Sequence, residues 1–184
     1  RYVLYANMPE TNDTDFSWRE FVRSNNDELV ATYGNLVHRV LTFTYKNFEG
    51  KVPVASTPDA ASQQLLAYAR VIFSEVDALL AKCSFKQALK RTMDLAHETN
   101  RYLDEKAPWK SLKVDRQQAA DALATAIDVI AILKTMFYPY LPFSSQKLHE
   151  YLGFDGRIED IHWEIILPQP GQSLRPPQAL FTKY

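Results

Sequence analysis

The stretch Asn25-Asn26-Asp27-Glu28-Leu29-Val30-Ala31-Thr32-Tyr33-Gly34-Asn35-Leu36-Val37-His38-Arg39-Val40-Leu41 decides how this chain is read. Leu29, Val30, Tyr33, Leu36, Val37, Val40 and Leu41 recur at the three-and-four spacing of one buried helix face. Asn35 and Arg39 stand four apart and so project side by side from one strip of that helix. An amide beside a guanidinium suits the edges of unpaired bases and the phosphates next to them. Polar pairs at this spacing also occupy ordinary solvated helix faces, so the pair alone fits a plain surface equally well.

Outward from that stretch the pattern stays helical. Ser17 or Asp15 is placed to cap a first long helix from about Trp18 to about Phe48, which would carry Gly34 in its interior. Glycine there costs about 1 kcal/mol relative to alanine, a cost that makes sense if another helix or a nucleotide approaches the backbone. Ser56 or Thr57 followed by Pro58 signals a second helix reaching about Ala81. Ser84 opens a third, through about Lys106, with Pro108 interrupting near its end. Asp115 to Tyr138 forms a fourth, rich in alanine and isoleucine, and Ser144 to Leu152 a shorter one after Pro139 and Pro142. Beyond Gly153, Pro168, Pro170, Pro176 and Pro177 prevent regular structure. The expected fold is all-α: an antiparallel bundle of about four to five helices with an irregular C-terminal tail. The expected divisions are a junction segment at 1–16, the bundle at 17–152 and the tail at 153–184.

Composition narrows the function. A length of 184 residues with 46% hydrophobic content supplies one ordinary core and does not call for a second large domain. A formal net charge of −1 excludes a strongly cationic nucleic-acid binder, so any RNA binding must depend on local geometry. The lone Cys83 excludes an internal disulfide and a cysteine-cluster zinc site; between Leu80 and Phe85 it reads as a buried or half-buried, inert thiol. No apolar run reaches membrane-spanning length and no signal-peptide pattern opens the chain, so a cytoplasmic setting is the default.

Several motifs recur in a telling order: Pro9 to Trp18, then Phe21 to Asn26, then Gly34 to Leu41. Thr99-Asn100-Arg101-Tyr102, Ala107-Pro108-Trp109 and the closing Gln178 to Lys183 follow. Together they resemble the helical anticodon-binding domain of methionyl-tRNA synthetases, over essentially the whole chain. The resemblance implies that Asn35 and Arg39 contact the anticodon and that Trp109 packs against its first base. Stacking of that kind is worth about 1–3 kcal/mol per base. The same resemblance makes Asn100 and Tyr102 supports holding the Trp109 turn against the first helix, with Pro108 stiffening that turn. Without the family context Trp109 fits a core or edge tryptophan as well. His38 suits either the RNA backbone or no role at all; Trp18 reads as a packing anchor and Trp163 as a cover on the bundle.

The family resemblance further implies a division of labour. A catalytic domain would precede Arg1, use ATP, accommodate zinc and attach methionine to its tRNA. This stretch would need no cofactor and would recognise the CAU anticodon. Its partners would be methionine tRNA and its own catalytic domain, with neither membrane nor DNA. The class signatures His-Ile-Gly-His and Lys-Met-Ser-Lys-Ser are absent, so the stretch alone should be inactive. Metal chemistry finds little support. Glu159-Asp160-Ile161-His162 has di-iron spacing but falls in the tail, and Asp94-Leu95-Ala96-His97 lacks partner carboxylates. No phosphate-binding glycine loop, Gly-x-Ser-x-Gly elbow or Cys-x-x-Cys is present. Two rivals stay open: a related synthetase reading another anticodon, and a helical interaction module without RNA recognition.

Overall fold

A computed structural model describes residues 1–10 and 15–184; Thr11 to Thr14, part of the polar connection expected from Pro9 to Ser17, lie outside the described residues. The helices are α1 (Tyr2–Ala6), α2 (Trp18–Arg23), a π-helical segment (Ser24–Gly34), α3 (Asn35–Asn47), α4 (Ala60–Ala81), α5 (Phe85–Lys106), α6 (Pro108–Ser111), α7 (Arg116–Phe137) and α8 (Pro142–Tyr151). No β-strand occurs among the described residues, only an isolated antiparallel bridge between Lys51 and Ser173. The all-α bundle expected from the periodicity is therefore what the chain forms.

Helix α7 is the central post. Asp115 caps it, accepting hydrogen bonds from the backbone N–H groups of Gln117 and Gln118 at 2.9 and 3.0 Å. Leu123, Ile127, Ile130, Leu133 and Phe137 along it are fully enclosed, and its small residues Ala122, Ala126 and Ala131 let neighbours approach closely. The long antiparallel pair α4 and α5 packs on one side, and α3, α6 and α8 complete the surround.

Two expected boundaries and one expected burial need correction. Helix α4 is capped by Asp59, whose side chain accepts from Ser62 N–H at 2.9 Å, and Pro58 stands before the cap instead of at the first helical position. Aspartate caps well, and proline holds the chain extended at the approach. Ser56 is bound to Asp121 of α7 through its N–H (2.7 Å) and hydroxyl (2.6 Å), which ties the incoming linker down. Helix α8 begins at Pro142, two residues early, because proline is tolerated where no N–H is required. Cys83 is exposed, contrary to its apolar neighbours. It occupies the left-handed position (φ 57°) just past α4, with Cys83 N–H donating to Leu80 O and Ser84 N–H to Leu79 O, both at 2.9 Å. That two-bond helix terminus turns the side chain outward.

The first long helix is the largest departure. It runs from Trp18 to Asn47, but residues 24–34 are π-helical. Gly34 lies so close to the carbonyl of Leu29, five residues earlier, that a Cβ would come within 2.7 Å of that oxygen and 2.9 Å of the Phe181 ring. The close approach at Gly34, expected of a helix or a nucleotide, is made instead by the irregular C-terminal tail. Trp18, expected as a packing anchor, is 72% exposed and touches Phe16 and Phe21 only edge-on. Trp163 does cover the bundle, stacked on Phe73 at 5.0 Å.

The tail is irregular yet tied down. Val52 N–H donates to Gln172 O (2.9 Å), Leu174 N–H to Gly50 O (2.7 Å) and Arg175 N–H to Tyr151 O (3.0 Å). It then crosses the π-helical segment. Asn25 Nδ2 donates to Thr182 O at 3.0 Å, Asn26 Nδ2 to Tyr184 O at 2.8 Å, and Tyr184 N–H returns to Asn26 Oδ1 at 3.0 Å.

Candidate nucleic-acid interface

Arg39 emerges from the first full turns of α3, one turn beyond the π-helical segment, and lies against the C-terminal end of α5. Its guanidinium carbon stands 4.4 Å from the centroid of the Trp109 ring. Its Nη2 donates to Asn100 Oδ1 and its Nη1 to Asp104 Oδ1, each at 3.3 Å. Its Nε is buried with no hydrogen-bond partner among the described residues. Asn100 in turn donates through Nδ2 to Thr32 O at 3.3 Å and to Ala96 O at 3.2 Å, joining α5 to the π-helical segment. An exposed pair such as Arg39 with Asp104 is worth about 0–1 kcal/mol, so it aims the guanidinium more than it stabilises the fold.

Trp109 is half-buried in α6, where its position follows from the backbone before it. Helix α5 ends at Ala107 in the left-handed conformation (φ 41°, ψ 58°), and the buried Pro108 starts α6 with its φ fixed. The chain turns at these two residues and sets the indole against Arg39 of α3.

Arg39, Asn100, Pro108 and Trp109 thus form one constellation. Asn35 lies one helical turn before Arg39, exposed, its side-chain amide without a hydrogen-bond partner among the described residues. It lines a cleft of about 380 Å³ with Gly34, His38, Leu180 and Phe181. Tyr102 is buried, with its hydroxyl 2.7 Å from Ser62 Oγ on α4, a tie across the α4–α5 seam that the sequence did not show. Burial raises its phenol pKa. Asp104 was missed by sequence reasoning, although its place one turn after Asn100 on α5 was a usable signal. Among the described residues no group of three His, Cys, Asp or Glu side chains could hold a metal ion.

Chemically this is a stacking surface with directed donors. A guanidinium plane and an indole ring offer π faces to unpaired bases, and the Asn35 amide and Arg39 N–H groups offer edges to read. The profile described as the anticodon binding domain of methionyl tRNA ligase matches residues 52–184, carrying Asn100 and Trp109. The chain belongs to that family. A second profile, class I tRNA synthetases (M), matches residues 1–41, carrying Asn35 and Arg39, so the constellation joins side chains from both matches. Among relatives of the family, a methionine–tRNA ligase of Dehalococcoides mccartyi is 52% identical over all of this chain and 33% of its own length. One from Chloroflexus aurantiacus is 44% identical, covering all of this chain and 35% of its own. The free-state structure of Mycobacterium tuberculosis methionyl-tRNA synthetase superposes with a TM-score of 0.92 at 25% identity, over 100% of this chain and 38% of that one. The chain therefore spans about a third of the length of the curated relatives it matches.

Proposed function

We propose that this domain reads the unpaired CAU anticodon of methionine tRNA for a methionine–tRNA ligase, whose catalytic portion joins methionine to the tRNA with ATP. The observation that carries the reading is the Arg39–Trp109 stack, braced by Asn100 and Asp104 on one face of the bundle. Trp109 supplies the stacking surface for the first anticodon base, Arg39 its charged neighbour, and Asn35 an amide one turn away. Asn100 and Pro108 position the pair. ATP, and any zinc, belong to the catalytic portion; the Mycobacterium tuberculosis relative has been solved with methionyl-adenylate. Residues 1–16 serve as the junction, 17–152 as the bundle and 153–184 as the tail packed on it. The setting is cytoplasmic; no helix among the described residues is long and apolar enough to cross a membrane.

Binding by the domain alone should be weak, since a near-neutral protein gains little from phosphate charge and holds only one end of the tRNA. The test is a titration of a CAU anticodon stem-loop against one with its first base changed, at low and moderate salt. The domain should prefer CAU. Trp109→Ala should weaken binding about 5- to 100-fold, the equivalent of one stacked base, and erase the preference. Arg39→Ala should also erase it. Weak binding without base preference would point to a reader of another anticodon, and no binding by the folded domain would point to an interaction module.

A further inference from the structure

Trp18, Val22, Asn26, Leu29, Tyr33, Leu36 and Val40 stand three or four residues apart, the stripe of one continuous α-helix. Trp18 lies 18 residues before Leu36, about five whole α-helical turns. Yet Leu29, Tyr33, Leu36 and Val40 are buried, whereas Trp18 and Val22 are exposed. Ser24, five residues before Leu29, is buried in their place. The π-helical winding between them accounts for the difference. Asn35 N–H reaches back to Val30 O, and Thr32 Oγ1 donates to Asp27 O at 2.8 Å, each across five residues. Every residue of register displaced in this way turns the helix before it by about 100°.

We propose that residues 178–184 are a latch that holds the first long helix in this winding, and that the helix rewinds to α when the tail leaves, rotating α2 against α3. The proposal does not depend on what α3 binds. π-Helix is uncommon beyond a single turn, so 11 residues of it call for an outside hold. The tail supplies one. Asn25 Nδ2 donates to Thr182 O at 3.0 Å, Asn26 Nδ2 donates to Tyr184 O at 2.8 Å, and Tyr184 N–H returns to Asn26 Oδ1 at 3.0 Å. Phe181 rests where a Gly34 Cβ would stand, and the Tyr184 ring lies 6.3 Å from that of Phe21 on α2. Asn26 cannot serve both windings. In the π-helix it bonds the tail; in an α-helix it falls on the buried stripe and leaves those partners. One sequence thus has two packings, each with its own compensation. Hydrogen bonds to the tail favour one, and the return of Val22 and Trp18 to the apolar stripe favours the other. Rewinding also turns Glu28, which accepts a hydrogen bond from the Tyr2 hydroxyl of α1, so the state of the tail is relayed to the first helix of the chain. The latch therefore sets how α1 and α2 face α3.

The experiment reads thiol reactivity toward a maleimide in the full 184-residue chain, with the exposed Cys83 removed by Cys83→Ser. Val22→Cys and Ser24→Cys, made one at a time, place a thiol on either side of the rotation. In the latched chain the thiol at position 22 should react fast and that at position 24 slowly. Two variants then release the latch by different means. Asn25→Ala with Phe181→Ala removes a hydrogen bond and the ring seated on Gly34, and leaves the stripe untouched. Asn26→Leu removes the paired bonds to Tyr184 and makes the stripe apolar throughout. Helical circular dichroism and melting temperature establish that each variant is folded. In both, the two rates should exchange order, slower at position 22 and faster at position 24. Fraying of the helix would instead raise both rates together. The tail variant decides: reversal there supports the latch whatever Asn26→Leu does, and unchanged rates or a joint rise there overturn it. Reversal in Asn26→Leu alone would show two windings between which the tail does not choose, and the latch falls.

Discussion

Ala107 holds φ 41° and ψ 58° immediately before Pro108, a conformation that a Cβ-bearing residue adopts at a cost of about 1–2 kcal/mol. The strain sits where the chain leaves α5 and aims Trp109 at Arg39. Glycine would occupy this position without that cost but has more freedom to lose on folding, so the two effects partly cancel. Ala107→Gly should raise stability by about 0.5–1 kcal/mol in urea unfolding, whereas Ala107→Val should lower it by more than 1 kcal/mol; equal midpoints for all three would show that the turn is unstrained. At this scale the sequence is informative about side chains that act through neighbours on the same helix. That Asn35 stands one turn before Arg39, and that Trp109 follows a stiff Pro108, was legible because helical spacing and the proline act locally; that Trp109 meets Arg39 was suggested only by the family resemblance. The partners that depend on how helices cross were not: Tyr102 meets Ser62 across α4, and Asp104 meets Arg39 across from α3. Cys83 misled for a related reason. Its apolar neighbours belong to two helices, and the left-handed turn between them points it away from both.

The departures among elements have one theme, which is that tertiary contacts redraw local preference. The three-and-four spacing of Leu29 to Leu41 correctly gives a helix with a buried face, yet it cannot show that residues 24–34 are wound more widely. Such winding is uncommon and tends to occur at functional sites. Here the wide turn places Tyr33 against Phe137, with ring centroids 4.2 Å apart, and Gly34 under Phe181. Gly34→Ala should therefore run against helix propensity. Alanine would gain about 1 kcal/mol as a helix former. Its Cβ would meet the Leu29 carbonyl at 2.7 Å, a backbone atom that cannot swing away, and the Phe181 ring at 2.9 Å. Overpacking of this kind costs about 1–3 kcal/mol. A melting temperature below that of the parent, with faster amide exchange confined to residues 179–184 and the π-helical segment, is the expected outcome. An unchanged or raised melting temperature would mean that the tail does not press on the helix as described.

Over the whole molecule, the near-neutral formal charge conceals two ionisable groups on the central post, one fully buried and one half-buried, and these shape its response to pH. Lys134 is fully buried, its Nζ 3.3 Å from His149 Nδ1 and 4.4 Å from the Phe154 ring centroid; His149 Nε2 in turn faces the Asp155 carbonyl at 3.2 Å. With no carboxylate paired to it among the described residues, burial lowers the lysine to about 8. Asp128, half-buried with Arg70 as its compensating charge, is pushed up to about 6 by partial desolvation. Both groups are more easily neutralised in the folded chain than in the unfolded one, so each subtracts stability while charged. The Asp128 penalty is absent below its unfolded pKa near 3.9 and complete above about 6. The Lys134 penalty is complete below about 8 and fades as pH rises toward about 10.4, where the unfolded lysine also loses its proton. Burial also lowers His149, whose own penalty appears at acid pH, so the stability curve of the parent chain mixes several groups. The difference between Asp128→Asn and the parent isolates the carboxylate; that between Lys134→Met and the parent isolates the amine above pH 7, while at acid pH it also includes His149, which the Lys134 charge helps to lower. Lys134→Met, similar in volume and free of charge, should be more stable than the parent by about 1–3 kcal/mol at pH 7. That margin should shrink steadily between pH 8 and 10. Asp128→Asn should show the opposite profile, gaining nothing at pH 4 and about 1–2 kcal/mol at pH 7. Urea unfolding of the three proteins from pH 4 to 10 reads both. A Lys134→Met margin that stays flat across pH 8 to 10 would mean that the buried amine keeps its proton, and that the His149 and Phe154 contacts are enough to hold the charge.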